Sequence, residues 1–397
     1  MRARRAIVVG GGIAGTATAI GLRRVGVEVT VYEAYADPAG EVGSFVSLAA
    51  NGLRGLRTLG CLDDVRAAGF AVPDQRMWSG SGRLLGAMPR GRLAGDDMIG
   101  VTLMRRRLVE VLRAHAVRAG VRIATGHRLI GVVREPGRVV AEFEDGTTDE
   151  AELLVGADGL WSTTRALLDP AGPSPVYAGA YSVSGIAEGV DVGPAGTFNM
   201  TFGRGGAFID IASPDGTTWW SAQPAAPRPP RTSGVGDDEW VDRLVGVYAH
   251  ESRALAVLGA STRVHGATRL HTLAGVGVRH EGRIVLVGDA AHPVGAGQGA
   301  SMAIEDAVVL ARTLAEAGAV EEAFVAFDRE RGARVGRMLK TARAGREAKL
   351  AGPIRRRVDD LVMPIVFRHV YARATAWLYT HDLGALPAPA EGSRPTP

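Results

Sequence analysis

Apolar positions near the start of the chain fall into two short runs, residues 6–9 and 28–32, with the length and composition of buried strands. Between them, residues 14–25 have helical spacing. Further on, residues 40–72 are helical at their centre, where Leu53, Leu56, Leu59 and Leu62 recur on one face. Residues 75–87 read as a hairpin turning at 79–82, and a helix over 105–119 is closed by Gly120. Short strands are predicted at 121–125, 129–134, 139–144 and 151–156, with a turn on Asp145-Gly146. The region 176–223 alternates apolar and polar positions, with strands expected at 197–202, 207–213 and 217–223, the last after an Asp215-Gly216 turn. It reads as a separate antiparallel sheet. A proline-rich loop (224–237), a helical stretch (238–260), a buried strand from Ile284 and a helix over 301–317 follow.

The strand types alternate along the chain, so one α/β unit is interrupted by sheet-forming insertions. The expected division is a nucleotide-type domain from 1–74, 98–175 and 265–345, and a sheet domain from 75–97 and 176–264. A helical segment (346–384) and a loose tail (385–397), rich in proline and small residues, complete it. At 397 residues there is ample chain for two intertwined units, and no internal repeat is visible.

Composition narrows the chemistry. With 46% hydrophobic and 22% charged residues the chain is ordinarily globular, and no apolar run reaches membrane-spanning length. The start of the chain does not read as a secretory signal, and the single cysteine, Cys61, allows no intrachain disulfide, so a reducing cytoplasm is expected. The net charge is only +4, and lysine occurs only at Lys340 and Lys349. Arginine runs at 2–5, 105–107 and 355–357 are dispersed and lack interleaved aromatics, which argues for solvated faces over a nucleic-acid surface.

Three segments carry candidate chemistry. In the first, Gly10, Gly12 and Gly15 follow a strand at G-x-G-x-x-G spacing and open a helix, with Ala14 in the same turn. The glycines permit a tight turn, close approach of backbone to a pyrophosphate, and close helix packing, and the helix N-terminus favours the anion. Glu33 ends the next strand eighteen residues after Gly15, the place for a ribose-binding carboxylate, and its charge argues against a 2′-phosphate there. The clamp therefore suits an adenosine diphosphate moiety, as in FAD or NAD. The second segment is ELLVGADGLWSTTRALL (152–168), a strand, an Asp158-Gly159 turn and a helix capped by Ser162. The third is GRIVLVGDAAHPVGAGQGAS (282–301).

Together these segments resemble the FAD-dependent aromatic hydroxylases of the para-hydroxybenzoate hydroxylase type, the class A flavoprotein monooxygenases. The resemblance spans most of residues 5–312. It implies a discontinuous Rossmann-like FAD-binding domain with an inserted antiparallel-sheet substrate domain. It implies that Asp158 lies near the cofactor pyrophosphate, that Gly288 and Asp289 hold the flavin ribityl chain, and that Arg105, with Arg106 as the register alternative, lies near the diphosphate. Backbone donors from Gly297, Gln298, Gly299 and Ala300 would then face the negative pyrimidine edge of reduced flavin, with Ser301 also at the cofactor. His292 and Pro293 would belong to the flavin-facing loop, His292 as a structural residue that fixes the turn and Asp306 as a helix residue. Family members usually read HPxxPxxGQG, whereas HPVGAGQG here is two residues shorter and lacks the second proline. Ala34 also stands where a basic residue is common.

The reaction the resemblance implies is NADPH- or NADH-driven reduction of FAD, addition of molecular oxygen to give a flavin hydroperoxide, and transfer of one oxygen to an aromatic or polyketide-like small molecule of specialised metabolism. With no second clamp in the sequence, the nicotinamide reductant is expected to visit transiently. Trp78, Trp219, Trp220, Phe202 and Phe208 are candidates to line the substrate face, with alternation sending some of them to the core instead, and Asp210 is either a substrate-directed acid or an exposed strand carboxylate. No metal-ligand pattern is present, and a monomer or homodimer is expected. A halogenase would need a lysine upstream of the third segment, and Lys340 and Lys349 both follow it. Baeyer–Villiger insertion and epoxidation remain alternatives within the chemistry, and a non-catalytic dinucleotide-binding protein remains the alternative outside it.

Overall fold

The computed structural model describes residues 3–37, 44–294, 297–349 and 353–387. In chain order the first half comprises β1 (Arg5–Val9), α1 (Ile13–Arg24), β2 (Glu28–Glu33), β3 (Phe45–Leu48), α2 (Ala50–Leu59), α3 (Leu62–Ala67) and β4 (Phe70–Ala71). Next come the hairpin β5 (Asp74–Ser79) and β6 (Leu84–Pro89), then β7 (Val101–Met104), α4 (Arg105–Arg118), β8 (Arg122–Thr125), β9 (Leu129–Glu135), β10 (Arg138–Phe143), β11 (Thr148–Ala151), β12 (Leu153–Gly156) and α5 (Thr163–Leu168). The second half holds β13 (Val176–Ala187), β14 (Thr197–Gly203), β15 (Gly206–Ala212), β16 (Thr218–Pro224), α6 (Asp237–Val247), α7 (Ser252–Gly259) and β17 (Ser261–Thr272). It closes with β18 (His280–Glu281), β19 (Ile284–Leu286), a 3-10 turn at Gly288–Ala290, α8 (Gly299–Glu316), α9 (Val320–Lys349), α10 (Pro353–His369) and α11 (Tyr371–Tyr379).

The nucleotide sheet runs β18-β19-β12-β1-β2-β8. Four of its five pairings are parallel, β18 alone running antiparallel at one edge, which fits central strands that read as continuous apolar runs buried on both faces. Helices α1 and α8 pack so closely that a Cβ on Gly21 would stand 2.9 Å from the Ala307 carbonyl oxygen. The inserted sheet has seven strands, β17-β13-β16-β15-β14-β5-β6, antiparallel except where β14 meets β5. One face of it is covered by α6 and α7 through Phe208, Trp220, Trp240, Leu244 and Tyr248. The other carries Phe198, Ile209 and Ile211 against Phe45 and Phe70.

Several elements depart from the sequence expectation. The strand expected at 151–156 is two: the backbone changes sheets at Glu152, whose carboxylate accepts from the Arg5 amide at 2.7 Å, so β11 joins the β9-β10 hairpin and β12 the nucleotide sheet. The stretch 238–260 holds two helices, broken around Glu251, which accepts the Arg204 amide at 2.6 Å. Strand β17, which the polar sequence STRVHGATRLHT concealed, pairs along β13 and carries the inserted sheet to Thr272, beyond the expected limit at 264. The tail from 388 onward lies outside the described residues. Cys61 is buried beside Leu59, and burial pushes its thiol up to about 12, making it an inert packing residue.

Candidate active site

The three singled-out segments converge at the C-terminal edge of the nucleotide sheet. Consecutive strand ends are tied by backbone bonds from Gly10 N to Tyr32 O (2.7 Å), Ala157 N to Val9 O (2.8 Å) and Val287 N to Gly156 O (2.9 Å). Each segment then presses on another. A Cβ on Gly10 would stand 2.5 Å from the Ala157 carbonyl oxygen, and one on Gly288 would stand 2.7 Å from the Ala14 Cβ. The buried Arg165 guanidinium donates to the Ala290 carbonyl at 3.0 Å, fastening α5 to the turn after β19. Crevices of this kind, outside the carboxyl ends of parallel strands, are where α/β sheets bind ligands.

Within the clamp, Gly15 admits no side chain, since its Cβ would fall 1.8 Å from the Gly10 carbonyl oxygen. A Cβ on Gly12 would meet nothing within 4 Å, so there is open space beside this residue at the mouth of α1. Glu33 is buried, and its two carboxylate oxygens accept from the amides of Gly11 (2.7 Å) and Tyr35 (2.9 Å), pinning the glycine turn to β2.

Asp289 faces the crevice. Its side chain is accessible to solvent yet ringed by protein mass, as befits a group on the floor of a deep cleft, and no described residue donates a hydrogen bond to it. Desolvation raises its pKa above the usual carboxylate range, with His292 and Arg105 pulling the other way. Arg105, the first residue of α4, is near enough to Asp289 to favour its charged form, whereas Arg106 pairs with Glu110 at 3.0 Å and Asp37 at 3.5 Å.

Beneath the turn lies a buried charge network. Asp306 accepts from the Gly288 amide (2.8 Å), from His292 Nε2 and from Arg331 Nε (2.7 Å), while His292 Nδ1 is buried without a partner. Glu305 meets Arg331, Arg334 (2.6 Å) and Asn51 (2.7 Å). Burial works to raise both carboxyl pKa values, but the paired cations win: Asp306 is held at about 2 and Glu305 is lowered. The sequence reading had His292 as a turn-fixing residue and Asp306 as a helix residue; it missed Asn51, Glu305, Arg331 and Arg334. The available signal was an acidic pair inside an otherwise apolar helix, which demands cations from elsewhere.

Other candidates are placed differently. Asp158 spends its carboxylate on capping α5, accepting from Ser162 Oγ, the Thr164 amide (2.8 Å) and Thr164 Oγ1 (2.9 Å). Asp210 is neither exposed nor directed at the crevice. It is fully buried under α7, bridged bidentately by Arg253 (2.6 and 2.8 Å) and by Asn199 (2.9 Å). Phe208 is likewise core, stacked on Trp220 at 6.1 Å and edged by Tyr248 at 5.4 Å. The alternate face carries Trp219, whose ring stands 5.0 Å from Phe70 and 6.0 Å from Phe45, and by alternation Phe202 with Phe198 and Met200. Ser301 Oγ is buried at 3.4 Å from the Ala49 amide. Gly297 and Gln298 line a slot with Ser47, Leu48, Ala49 and Arg90, while Gly299 and Ala300 open α8, with a Cβ on Gly299 coming 3.4 Å from Asp289 Oδ1. Pro293 lies within the described turn, but Gly295 and Ala296 of the shortened loop lie outside the described residues.

The arrangement fits a flavin dinucleotide: open backbone donors at one helix mouth, a carboxylate with free acceptor capacity, a neighbouring guanidinium, and an apolar aromatic wall opposite. Among the described residues no group of histidine, cysteine or carboxylate side chains could hold a metal ion, and no helix is long and apolar enough to cross a membrane.

Comparison with known proteins agrees. The family model described as "FAD binding domain" matches residues 4–342. Aurachin C monooxygenase/isomerase of Stigmatella aurantiaca is 32% identical over 313 residues, covering 78% of this chain and 80% of that protein. Salicylate hydroxylase of Pseudomonas putida is 28% identical, covering 95% and 92%. The crystal structure of Klebsiella pneumoniae R204Q HpxO complexed with FAD superposes with a TM-score of 0.81 at 21% identity, covering 96% of this chain and all of that one, and so shares the fold.

Proposed function

The chain belongs to the FAD-binding-domain family of flavin monooxygenases and is an FAD-dependent oxidoreductase, and from that premise we propose that it hydroxylates an aromatic or polyketide-like small molecule at the expense of NADH or NADPH. The observation that carries this reading is the three-way closure of the glycine clamp, the Asp158-Gly159 turn and the Gly288-Asp289 turn around one crevice, with an aromatic wall on the inserted sheet across from it. When bound, FAD supplies the redox and oxygen-transfer chemistry, taking electrons from the nicotinamide and oxygen from O2.

The chain's own residues bind and orient. Gly10, Gly12, Ala14 and Gly15 bring amides and the α1 dipole to the pyrophosphate, and Glu33 keeps lone pairs for ribose hydroxyls. Arg105 supplies positive charge beside Asp289, whose unclaimed oxygens accept ribityl hydroxyls. Backbone donors of Gly297 to Ser301 at the mouth of α8 favour negative charge on the pyrimidine edge, an effect of roughly 0.3–2 kcal/mol. Asp158 acts at one remove: by capping α5 it holds the Ala157–Asp158 backbone against Gly10. Trp219 and Phe202, on the apolar wall, exclude water from the reacting ring. A reducing cytoplasmic setting and a monomer or homodimer suit a chain whose one cysteine is buried.

Oxygen insertion with rearrangement is the second outcome to look for, because the Aurachin C relative is named both a monooxygenase and an isomerase. Purified protein should be yellow and should oxidise NADPH faster with particular phenolic or polyketide compounds, and labelled O2 should deliver one atom to product. Asp289→Ala should lose flavin; a variant that keeps its full visible spectrum after gel filtration removes Asp289 from the cofactor site.

A further inference from the structure

Arg90 is a half-buried cation, set among dense protein atoms, that pairs with no carboxylate among the described residues. It follows β6, held by a bond from its amide to the Pro73 carbonyl at 2.8 Å. Its guanidinium lies 3.9 Å over the Phe198 ring, on the aromatic wall, and donates to Gln75 Oε1 at 3.2 Å. Among the described residues its buried Nε has no partner and no carboxylate pairs with it. Burial lowers its pKa, opposed only by the phenols of Tyr379 and Tyr371. Arg331 and Arg334 meet Glu305, the half-buried Arg253 meets Asp210, and the buried Arg165, which has no carboxylate bond, donates to two carbonyls, those of Ala290 and Leu160, whereas Arg90 has the Gln75 oxygen and the Phe198 ring. Taking a guanidinium out of water without a counter-charge costs several kcal/mol, and a fold tolerates this where a ligand completes the pair.

The place is informative as well. Arg90 lines the slot that also includes Gly297 and Gln298 at the start of α8 and Ser47, Leu48 and Ala49 at the end of β3. It thus stands where the crevice meets the wall of the inserted sheet, with Phe198 fixing the guanidinium plane from one side.

We propose that Arg90 is the specificity-determining cation of the substrate site, pairing with an acidic oxygen, carboxylate or phenolate, of an aromatic substrate. This rests on the aromatic-substrate reading above. The planar fork suits a two-oxygen partner, and such charge-assisted contacts are worth about 1.5–3 kcal/mol, roughly a 10- to 150-fold change in affinity.

The test uses FAD-loaded wild type, Arg90→Met and Arg90→Lys, with ligand binding followed by the change in flavin absorbance. The probes are salicylate, benzyl alcohol as its neutral control, and 4-nitrophenol on either side of its ionisation. The expected result is a 10- to 100-fold weaker Kd for salicylate in Arg90→Met, an intermediate value in Arg90→Lys, unchanged binding of the neutral probe, and a Tm no lower than wild type, since an unpaired buried charge has been removed. Loss confined to salicylate identifies a carboxylate partner; loss that follows ionisation of 4-nitrophenol identifies a phenolate. Equal Kd values in yellow wild type and Arg90→Met overturn the assignment, as does a shifted flavin midpoint potential with unaltered Kd, which would give the cation to the cofactor. Wild-type enzyme that binds none of the aromatic probes overturns the aromatic-substrate reading itself, a failure distinct from the first two.

Discussion

Asp289 and Asp306 are both ringed by protein atoms, yet they respond in opposite directions. Asp289 has its pKa raised because desolvation outweighs His292 and Arg105; Asp306 is held at about 2 because His292, Arg331 and the Gly288 amide all favour its charged form. The sign of the second effect can be worked through. A carboxyl whose folded pKa lies below its unfolded value adds stability that is present above about 3.8 and disappears as pH falls through about 2. The contribution is on the order of 2 kcal/mol. Asp158, Asp210 and Asp289 have raised pKa values, so protonation relieves them over the acid range and their sum masks the Asp306 contribution in wild type. The comparison with Asp306→Asn isolates it. Urea unfolding should show the variant less stable by about 3–5 kcal/mol at neutral pH, since His292 and Arg331 lose a buried partner. The gap should narrow between pH 4 and pH 2. A gap independent of pH would mean that the carboxylate charge is not what the network uses.

At the scale of elements, what the sequence disclosed was local and what it hid was facing. The clamp, the Asp158-Gly159 turn and the Gly288-Asp289 turn are legible because each is a run of contiguous residues with its own steric demand: Gly15 could be read without knowing anything distant. Strand β15 shows the limit. Alternation along GAFIDIA separates Phe208 and Asp210 from Ile209 and Ile211, but which set meets α6 and α7 depends on helices some thirty residues downstream. A one-residue ambiguity therefore sent a core aromatic and a buried ion pair to the substrate face. Strand β17 was missed because its polar side chains are half-buried at a sheet edge, and the Glu305 partners because they come from α9. The corrected role of Asp210 has a consequence: Arg253→Ala should cost about 3–5 kcal/mol by stranding a buried carboxylate, whereas the paired change Arg253→Met with Asp210→Leu should recover most of it. Thermal melts of both check this. Recovery of Tm with turnover retained agrees with a structural pair, and loss of turnover in the recovered double variant returns Asp210 to the chemistry.

For the molecule as a whole, the question is what holds the inserted sheet against the cofactor crevice. The C-terminal helices connect the two. On the nucleotide side, Arg54 donates to the Tyr379 carbonyl, Arg334 donates to those of Trp377 (2.8 Å) and Leu378 (2.9 Å), and the Trp377 ring takes the Arg337 guanidinium at 4.3 Å. On the sheet side, Gln75 donates to the Tyr371 hydroxyl at 2.9 Å, and Phe367 of α10 lies over Gly86 of β6. A Cβ on Gly86 would stand 2.6 Å from the Phe367 Cβ, so the closeness of α10 to the sheet depends on a missing side chain. Gly86→Val offers a way to lift the strap from the sheet while leaving every residue of the FAD crevice in place. Because Gly86 does not have a positive φ, valine introduces no backbone strain there, and β-branching suits a strand. The expected phenotype is therefore selective: flavin content unchanged, proteolysis of the C-terminal helices faster, and poorer coupling, read as more hydrogen peroxide released per NADPH because the reacting ring is less well held and water enters. Wild-type coupling in a Gly86→Val enzyme that is cut faster would show that the strap stabilises the fold without governing the site.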